Sequence, residues 1–443
     1  MATTTYGSQN ARVTLHRPTY PWLSFLIRLL IFALFIIGLH ALFAYKTTLV
    51  ITSDEFWIIK AYVALTGTFL LSRFLIVIFY RDSHAVTYAS YRYPSVSFVI
   101  AAKNEEDSIY KTIVTCMESD YPAPLECISV DDGSTDGTRK EMERAAVWYR
   151  GSNKKVRVIG FDKNRGKREA MAEGILSAVG EVVVFVDSDS FLEKPAVKHI
   201  VEHFLEDKKV GAVSGSSGVE NADTNSLTKM QSARYGISFD IFKACESVFG
   251  VVTCCPGCFS AYRRNALLKV LSKWRNQTFM GTKSTFGDDR SLTNYILRTW
   301  KVIYCQKARA VTIVPDTYRK FLKQQLRWKK SWIREGLAAA TFIWKKNIIA
   351  SLSFYTNLLL PIFSPFIVFS ALIIQPVFYG RWPVVFLVGV TAMSALYGVY
   401  YFLQSGNRYW GYVVLFTMMY TSIMVWQMPY ALFRLRDTRW GTR

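Results

Sequence analysis

The sequence predicts an α/β domain with a mostly parallel sheet, inserted between transmembrane α-helices and followed by amphipathic interfacial helices. Three observations predict it. Apolar residues concentrate at 20–80 and 348–433 instead of spreading through all 443 residues. Between those stretches, residues 90–320 alternate strand-like and helix-like patterns, which implies a mostly parallel sheet. Acidic clusters fall at the carboxyl ends of two strands, where such sheets bind ligands.

Residues 1–21 are polar, carry Arg12, His16 and Arg17, and lack a cleavage-site pattern, so they read as a cytoplasmic tail. The runs 22–45 and 56–80 each exceed the roughly 20 residues needed to cross a bilayer, which makes 22–80 a pair of transmembrane helices. Arg73, inside the second run, is expected to face a protein interior or a polar path. Arg81 and the basic residues after it place the following domain, 81–320, in the cytoplasm. Its strands are expected at 95–102, 126–130, 155–160 and 181–186, and its helices at 107–118, 138–150 and 168–178. Residues 321–347, rich in Trp, Lys and Arg, read as an amphipathic helix lying along a membrane surface. Within 348–433, runs at 352–379 and 384–402 are expected to cross. The run at 410–432 is expected to be re-entrant or interfacial, broken near Pro429, because the basic tail 434–443 should also be cytoplasmic.

Lys and Arg number 54 against 33 Asp and Glu, a net charge of +21. No recognition motif for nucleic acid accompanies that charge, so nucleic acid is not expected as a partner. Positive-inside topology, attraction to membrane lipid and a basic cleft for a diphosphate account for it instead. The seven Cys are odd in number and scattered, which argues against a disulfide framework. Cys255 and Cys258 have C-x-x-C spacing, but no second pair stands ready to complete a zinc site, so packed thiols are expected.

Four motifs carry chemistry. Asp131-Asp132-Gly133-Ser134 ends a strand and can hydrogen-bond a base and ribose. It is not read as a calcium loop, because with Gly133 as the loop glycine the position that needs an acidic ligand, six residues on, is Arg139. Asp187-Ser188-Asp189 leaves a buried strand as alternate acids, suited to holding Mg2+ or Mn2+ against a diphosphate. Gly287-Asp288-Asp289-Arg290 supplies carboxylates, with Asp289 the candidate base for an acceptor hydroxyl. Gln324-Gln325-Leu326-Arg327-Trp328 offers an Arg for diphosphate and a Trp to stack on a sugar face. Membrane anchoring by Lys329, Lys330, Trp332 and Arg334 is the competing reading of that stretch.

In this order between membrane segments, the four motifs resemble the processive family-2 glycosyltransferases, among them hyaluronan, chitin and cellulose synthases and the rhizobial chitooligosaccharide synthase. Asn276–Gly281 with Gly287–Tyr295, the segment Asn164–Arg168, the stretch Gln325–Glu335 and the terminal Trp440-Gly441-Thr442-Arg443 resemble hyaluronan synthases most. The turn at Cys255–Ser260 is closer to chitin synthases. The resemblance implies a GT-A-type glycosyltransferase domain that takes UDP-GlcNAc and UDP-GlcA and feeds a nascent polysaccharide into a membrane channel. It implies that Asp289 and Asp288 are catalytic and that Asp187 and Asp189 hold Mg2+ or Mn2+. It further implies that Asp132, Lys103, Lys167, Arg327, Trp440 and Arg443 bind UDP, and that Gln324, Trp328 and Cys258 meet the acceptor. A single-sugar synthase making a chitin-like or other β-glycan is the alternative, and a transferase to polyprenyl phosphate is a more distant one. A non-catalytic scaffold is disfavoured by the intact acids of the first three motifs.

Overall fold

The computed structural model describes residues 57–82, 92–152 and 154–437. The expected span 22–45 and the tail residues Trp440 and Arg443 lie outside the described residues.

Helix α1 (Trp57–Val77) leads into the soluble block. There follow β1 (Val96–Ala102), α2 (Ile109–Met117), β2 (Leu125–Asp131), α3 (Thr138–Trp148), β3 (Lys155–Gly160), α4 (Lys167–Ser177) and β4 (Val182–Phe185). These lie within about two residues of the expected elements at either end. The strand signal was strong for a physical reason: β2 and β4 are buried along their whole length, and strands covered on both faces read as apolar runs.

The second half of the sheet departs from expectation. It contains β5 (Ser190–Leu192), α5 (Ala196–Glu206), β6 (Val210–Val219), α6 (Ser226–Ile237), a π-helical stretch Ser238–Lys243 and α7 (Ala244–Val248). Then come β7 (Ser260–Arg263), α8 (Arg264–Arg275), the hairpin strands β8 (Thr278–Phe279) and β9 (Thr282–Lys283), α9 (Asp288–Leu297) and β10 (Lys301–Thr312). The eight-stranded sheet has the order β3-β2-β1-β4-β7-β6-β10-β5. It is mixed: β7 runs antiparallel to both β4 and β6, and β5 antiparallel to β10. The reversal at β7 lets segments from both halves of the chain reach one rim.

Two apolar layers sandwich the sheet. One face packs Phe98, Ile100, Ile113, Met142, Ile200 and Phe259 under α2, α3 and α5. The other packs Val99, Ile128, Ile175, Leu267, Trp274 and Leu292 under α4, α8 and α9.

Beyond the sheet lie α10 (Tyr318–Ala340), α11 (Ile348–Phe369), a π-helical turn Ser370–Ile374, α12 (Gln375–Tyr379), α13 (Val384–Ser405), α14 (Tyr412–Ser422), a 3-10 turn Met424–Trp426 and α15 (Gln427–Phe433). Two stretches, Ile348–Tyr379 and Phe386–Ser405, are long and apolar enough to cross a membrane. They expose large apolar side chains such as Leu352, Phe366, Phe378 and Val388. Arg73 faces the protein interior, donating from Nη1 to Ser353 Oγ at 2.8 Å. The last apolar run is broken, as expected from its sequence, but at Ile423–Trp426 and not at Pro429. Pro429 sits in the first turn of α15, where the missing N–H has no helical partner to lose.

Helix α13 docks on α6 at a point where only a glycine fits: a Cβ on Gly236 would collide with the Tyr401 ring and hydroxyl. Gly236→Ala should therefore destabilise the protein by about 1–3 kcal/mol through overpacking, read as a lower melting temperature of the detergent-purified chain.

Candidate active site

Four elements supply residues at the rim where β7 reverses. β2 delivers Asp132, which follows its last residue. The Asp132 carboxylate accepts from Arg165 N at 2.7 Å and from Gly166 N at 3.0 and 3.1 Å. Burial raises its carboxyl above the usual range, while those N–H groups and the charge of Lys103, just past β1, oppose the rise.

β4 delivers Asp187 and Asp189. Lys167, the first residue of α4, sets its Nζ 2.5 Å from Asp187 Oδ1. Burial would lower the Lys167 ammonium, but the charges of Asp187 and Asp289 outweigh it and raise it. The Asp189 carboxyl is pushed up to about 6 by burial and by the charge of Asp187, with Lys167 and the Thr312 hydroxyl opposing. That hydroxyl donates to Asp189 Oδ1 at 3.2 Å.

α9 delivers Asp289 in its first turn. Its carboxyl is also pushed up to about 6, by burial with the charges of Asp187 and Asp288 against that of Lys167. Its Oδ1 is buried and has no hydrogen-bond partner among the described residues. A hydrogen bond from the Gly257 backbone opposes the rise without cancelling it, and a carboxylate so raised is suited to accept a proton.

The turn Cys255–Cys258 lies between these acids. A Cβ on Gly257 would stand 2.7 Å from Asp187 Oδ1 and 3.0 Å from Asp289 Oδ1. The two carboxylates therefore flank one residue, although about 100 positions separate them in the chain. The turn is pinned by Cys255 N donating to Thr293 Oγ1 at 2.9 Å. Cys258 Sγ lies 2.8 Å from Ser217 Oγ. No Cys forms a disulfide among the described residues.

Asp288 does not accompany Asp289 to the rim. Its Oδ1 accepts from Arg168 Nε at 2.6 Å, with both side chains at most 4% exposed. The helical turn sends the two neighbouring acids in different directions, so Asp288 anchors α9 to α4 and its expected catalytic role has no geometric basis.

α10 delivers the fourth motif. Burial lowers the Arg327 guanidinium, and the charges of Asp289, Asp187 and Asp288 oppose that shift, so Arg327 lies within the electrostatic range of the carboxylates. Gln324 lies one turn earlier with its Oε1 buried, and Trp328 is 42% exposed. The neighbouring charges do not snorkel. Lys329 Nζ donates to Met424 O and, at 3.1 Å, to Gln427 Oε1. Lys330 pairs with Asp437 at 3.2 Å. Arg334 Nη2 donates to Phe286 O at 2.7 Å, and Asn294 Nδ2 donates to Glu335 O at 2.9 Å. Gly287, in the left-handed region at φ +82°, lies where any Cβ would meet Ser331. The second half of α10 thus clamps α9, which carries Asp289, and the residues that lead into it.

The structure brings Asp187, Asp189, Asp289, Lys167, Cys258 and Arg327 together. Asp132 and Lys103 lie at adjacent strand ends. Sequence reasoning gave no role to Gly257 or to the Arg168–Asp288 pair. Gly257 had one signal, its place between a Pro and a Cys in a turn; the pairing of Arg168 with Asp288 had none.

Comparisons with known proteins agree with this architecture. Residues 97–271 match the family Glycosyl transferase family 2. An N-acetylglucosaminyltransferase of Azorhizobium caulinodans is 30% identical over 363 residues, 79% of this chain and 87% of that protein. A hyaluronan synthase of Streptococcus pyogenes is 33% identical over 262 residues, 58% of this chain and 61% of that protein. The match to an N-acetylglucosaminyltransferase of Rhizobium meliloti spans 57% of that protein. Among solved structures, a mannosyltransferase of Pyrobaculum calidifontis in complex with GDP-Man and Mn2+ superposes with a TM-score of 0.57 at 21% identity, covering 83% of this chain and 99% of that one. It shares the GT-A fold. The chain is a member of glycosyl transferase family 2, related to hyaluronan synthases and N-acetylglucosaminyltransferases.

Proposed function

We propose that this enzyme is a processive, inverting glycosyltransferase that polymerises UDP-sugars into a β-linked polysaccharide and passes it across the membrane. Hyaluronan, from UDP-GlcNAc and UDP-GlcA, is the product we assign. The observation that carries the reading is the meeting of Asp187 and Asp289 on either side of Gly257, with Arg327 presented from a helix that also grips the C-terminal apolar segments.

Asp289 is the general base. It takes the proton of the acceptor hydroxyl as that oxygen bonds to the anomeric carbon and the bond to the UDP oxygen breaks. One displacement inverts the anomeric centre. Asp132 and Lys103 meet the nucleoside, Lys167 and Arg327 the diphosphate, and Gln324, Trp328 and Cys258 the acceptor. Trp440 and Arg443 close over UDP from the tail. Asp288 positions Asp289 through its pair with Arg168.

Asp187 and Asp189 suit a hard divalent cation. They are neighbouring, half-buried carboxylates, one of them raised to about 6 by burial and by the other's charge, with the monovalent Lys167 ammonium opposing. Bound Mg2+ or Mn2+ supplies neutralisation of the diphosphate leaving group.

Domains follow as 22–80 and 348–433 in the cell membrane, with 434–443 and the catalytic domain 81–320 on the cytoplasmic side and the polymer leaving through the membrane helices. The stretch 321–347 joins the two. A second reading, a single-sugar synthase fed by UDP-GlcNAc alone, draws support from the N-acetylglucosaminyltransferase that aligns over 79% of the chain.

Membranes given both UDP-sugars and Mg2+ or Mn2+ should yield a high-mass polymer that hyaluronidase cuts, and EDTA should abolish it. Polymer from UDP-GlcNAc alone would transfer the assignment to the second reading. Asp289→Asn should lower transfer by about 10²–10⁴-fold while UDP still binds in a calorimetric titration; near-normal turnover would remove Asp289 as base. Gly257→Ala should push the two carboxylates apart and cost about 10²-fold in turnover, with the melting temperature unchanged.

A further inference from the structure

Away from the reaction site, Asp82, His203 and Cys305 converge from three separate elements. Asp82 follows the exit of α1, His203 lies on α5, and Cys305 lies on β10. Their ligand atoms lie within 4.8 Å of one another. We propose that they form a second cation site, for a thiophilic divalent ion of the zinc class, which fastens the exit of α1 to the sheet.

The donor set fits that ion and not the hard cations of the reaction site. A thiolate, an imidazole and a carboxylate are the ligand types of zinc, with bonds of about 2.0–2.3 Å. His203 is oriented for the role. Its Nδ1 lies 3.5 Å from Glu206 Oε2, one turn along α5, an arrangement in which a carboxylate holds a ligating imidazole by its other nitrogen. Its Nε2 is buried between Asp82, whose Oδ1 is 3.3 Å away, and Cys305, and with neither does it complete a well-aligned hydrogen bond among the described residues. A polar nitrogen so enclosed calls for a partner. Asp82 is steered by its other oxygen, Oδ2, which accepts from Lys307 N at 2.8 Å, so that Oδ1 meets the imidazole. Cys305 is fully buried.

The competing account is a metal-free clasp, a charged imidazole between Asp82 and Glu206. It explains the two acids and leaves Cys305 a neutral thiol that donates weakly to His199 O at 3.7 Å beside the imidazole, where the ion would make it a ligand. In the proposed site the Cys305 thiol gives its proton to water as the ion binds, so binding releases protons and strengthens as pH rises. The location has a use. Tyr80 already ties the chain to β10, donating to Tyr304 O at 3.1 Å and accepting from Gln306 N at 3.2 Å. An ion two residues on would complete a cross-link among α1, α5 and β10.

The test uses full-length protein in detergent, stripped by a chelator and titrated with Co2+. We expect one Co2+ per chain with a thiolate charge-transfer band, no displacement by excess Mg2+, and the same band in Asp189→Asn. Cys305→Ser should lose the band and His203→Gln should weaken binding at least tenfold. Zn2+ added to stripped wild-type protein should raise its melting temperature, a readout that does not depend on any variant folding. A band that survives in Cys305→Ser would trace the ion to other thiols and overturn the proposal. So would the absence of any band together with an unmoved melting temperature, which would leave the metal-free clasp.

Discussion

Like charges crowded where water is scarce set the terms for the rest of this structure. Asp187 neighbours both Asp189 and Asp289, and its charge, together with burial, raises the carboxyls of both. Such an arrangement is costly unless the surrounding chain fixes it. The buried Arg168–Asp288 pair holds α9 against α4, the Cys255–Cys258 turn wedges a side-chain-free residue between two of the acids, and Lys167 supplies a close positive charge. Packing and hydrogen bonds at a distance thus stabilise a centre that would relax if left to itself. That is the expected behaviour of a site built to stabilise charge that arrives only with substrate.

The mixed sheet is the geometric answer to the same problem. A wholly parallel sheet brings acids to one rim from strands that each need a crossover helix. Running β7 backwards between β4 and β6 lets the chain come off the rim by way of the Cys255–Cys258 turn and re-enter the sheet there, with α8 and α9 then folding under it. The turn reaches the carboxylates because the strand after it descends.

The first half of the domain was readable in the sequence because its strands are buried on both faces and its helices are separated by clear turns. The second half was not. β6 reads VGAVSGSSGV, with few β-branched residues to signal a strand. Its Gly215 has no room for a side chain because Phe259 lies against it, so the neighbour supplies the apolar bulk that the strand lacks. The acids of the site were legible as types at strand ends. Their partners were not, since nothing local tells Asp288 to turn inward while Asp289 turns to the rim. The charged stretch after Trp328 misled in an instructive way. Lys329, Lys330, Arg334 and Glu335 have the look of a membrane-surface belt, yet each is buried and bonded within the protein. Composition cannot distinguish a lysine reaching for water from one reaching for a carbonyl.

Lys329 deserves a last consequence. Its ammonium enters the gap where the final apolar helix breaks, bonding Met424 O and Gln427 Oε1, and burial brings its pKa down to about 8. A broken helix leaves carbonyls without amides, and here the reaction-site helix donates the missing proton from outside. The two pieces of backbone therefore share a single fastening. Neither can slide or fray without loosening the other, so the last hydrophobic segment and the helix bearing Arg327 should behave as one rigid yoke.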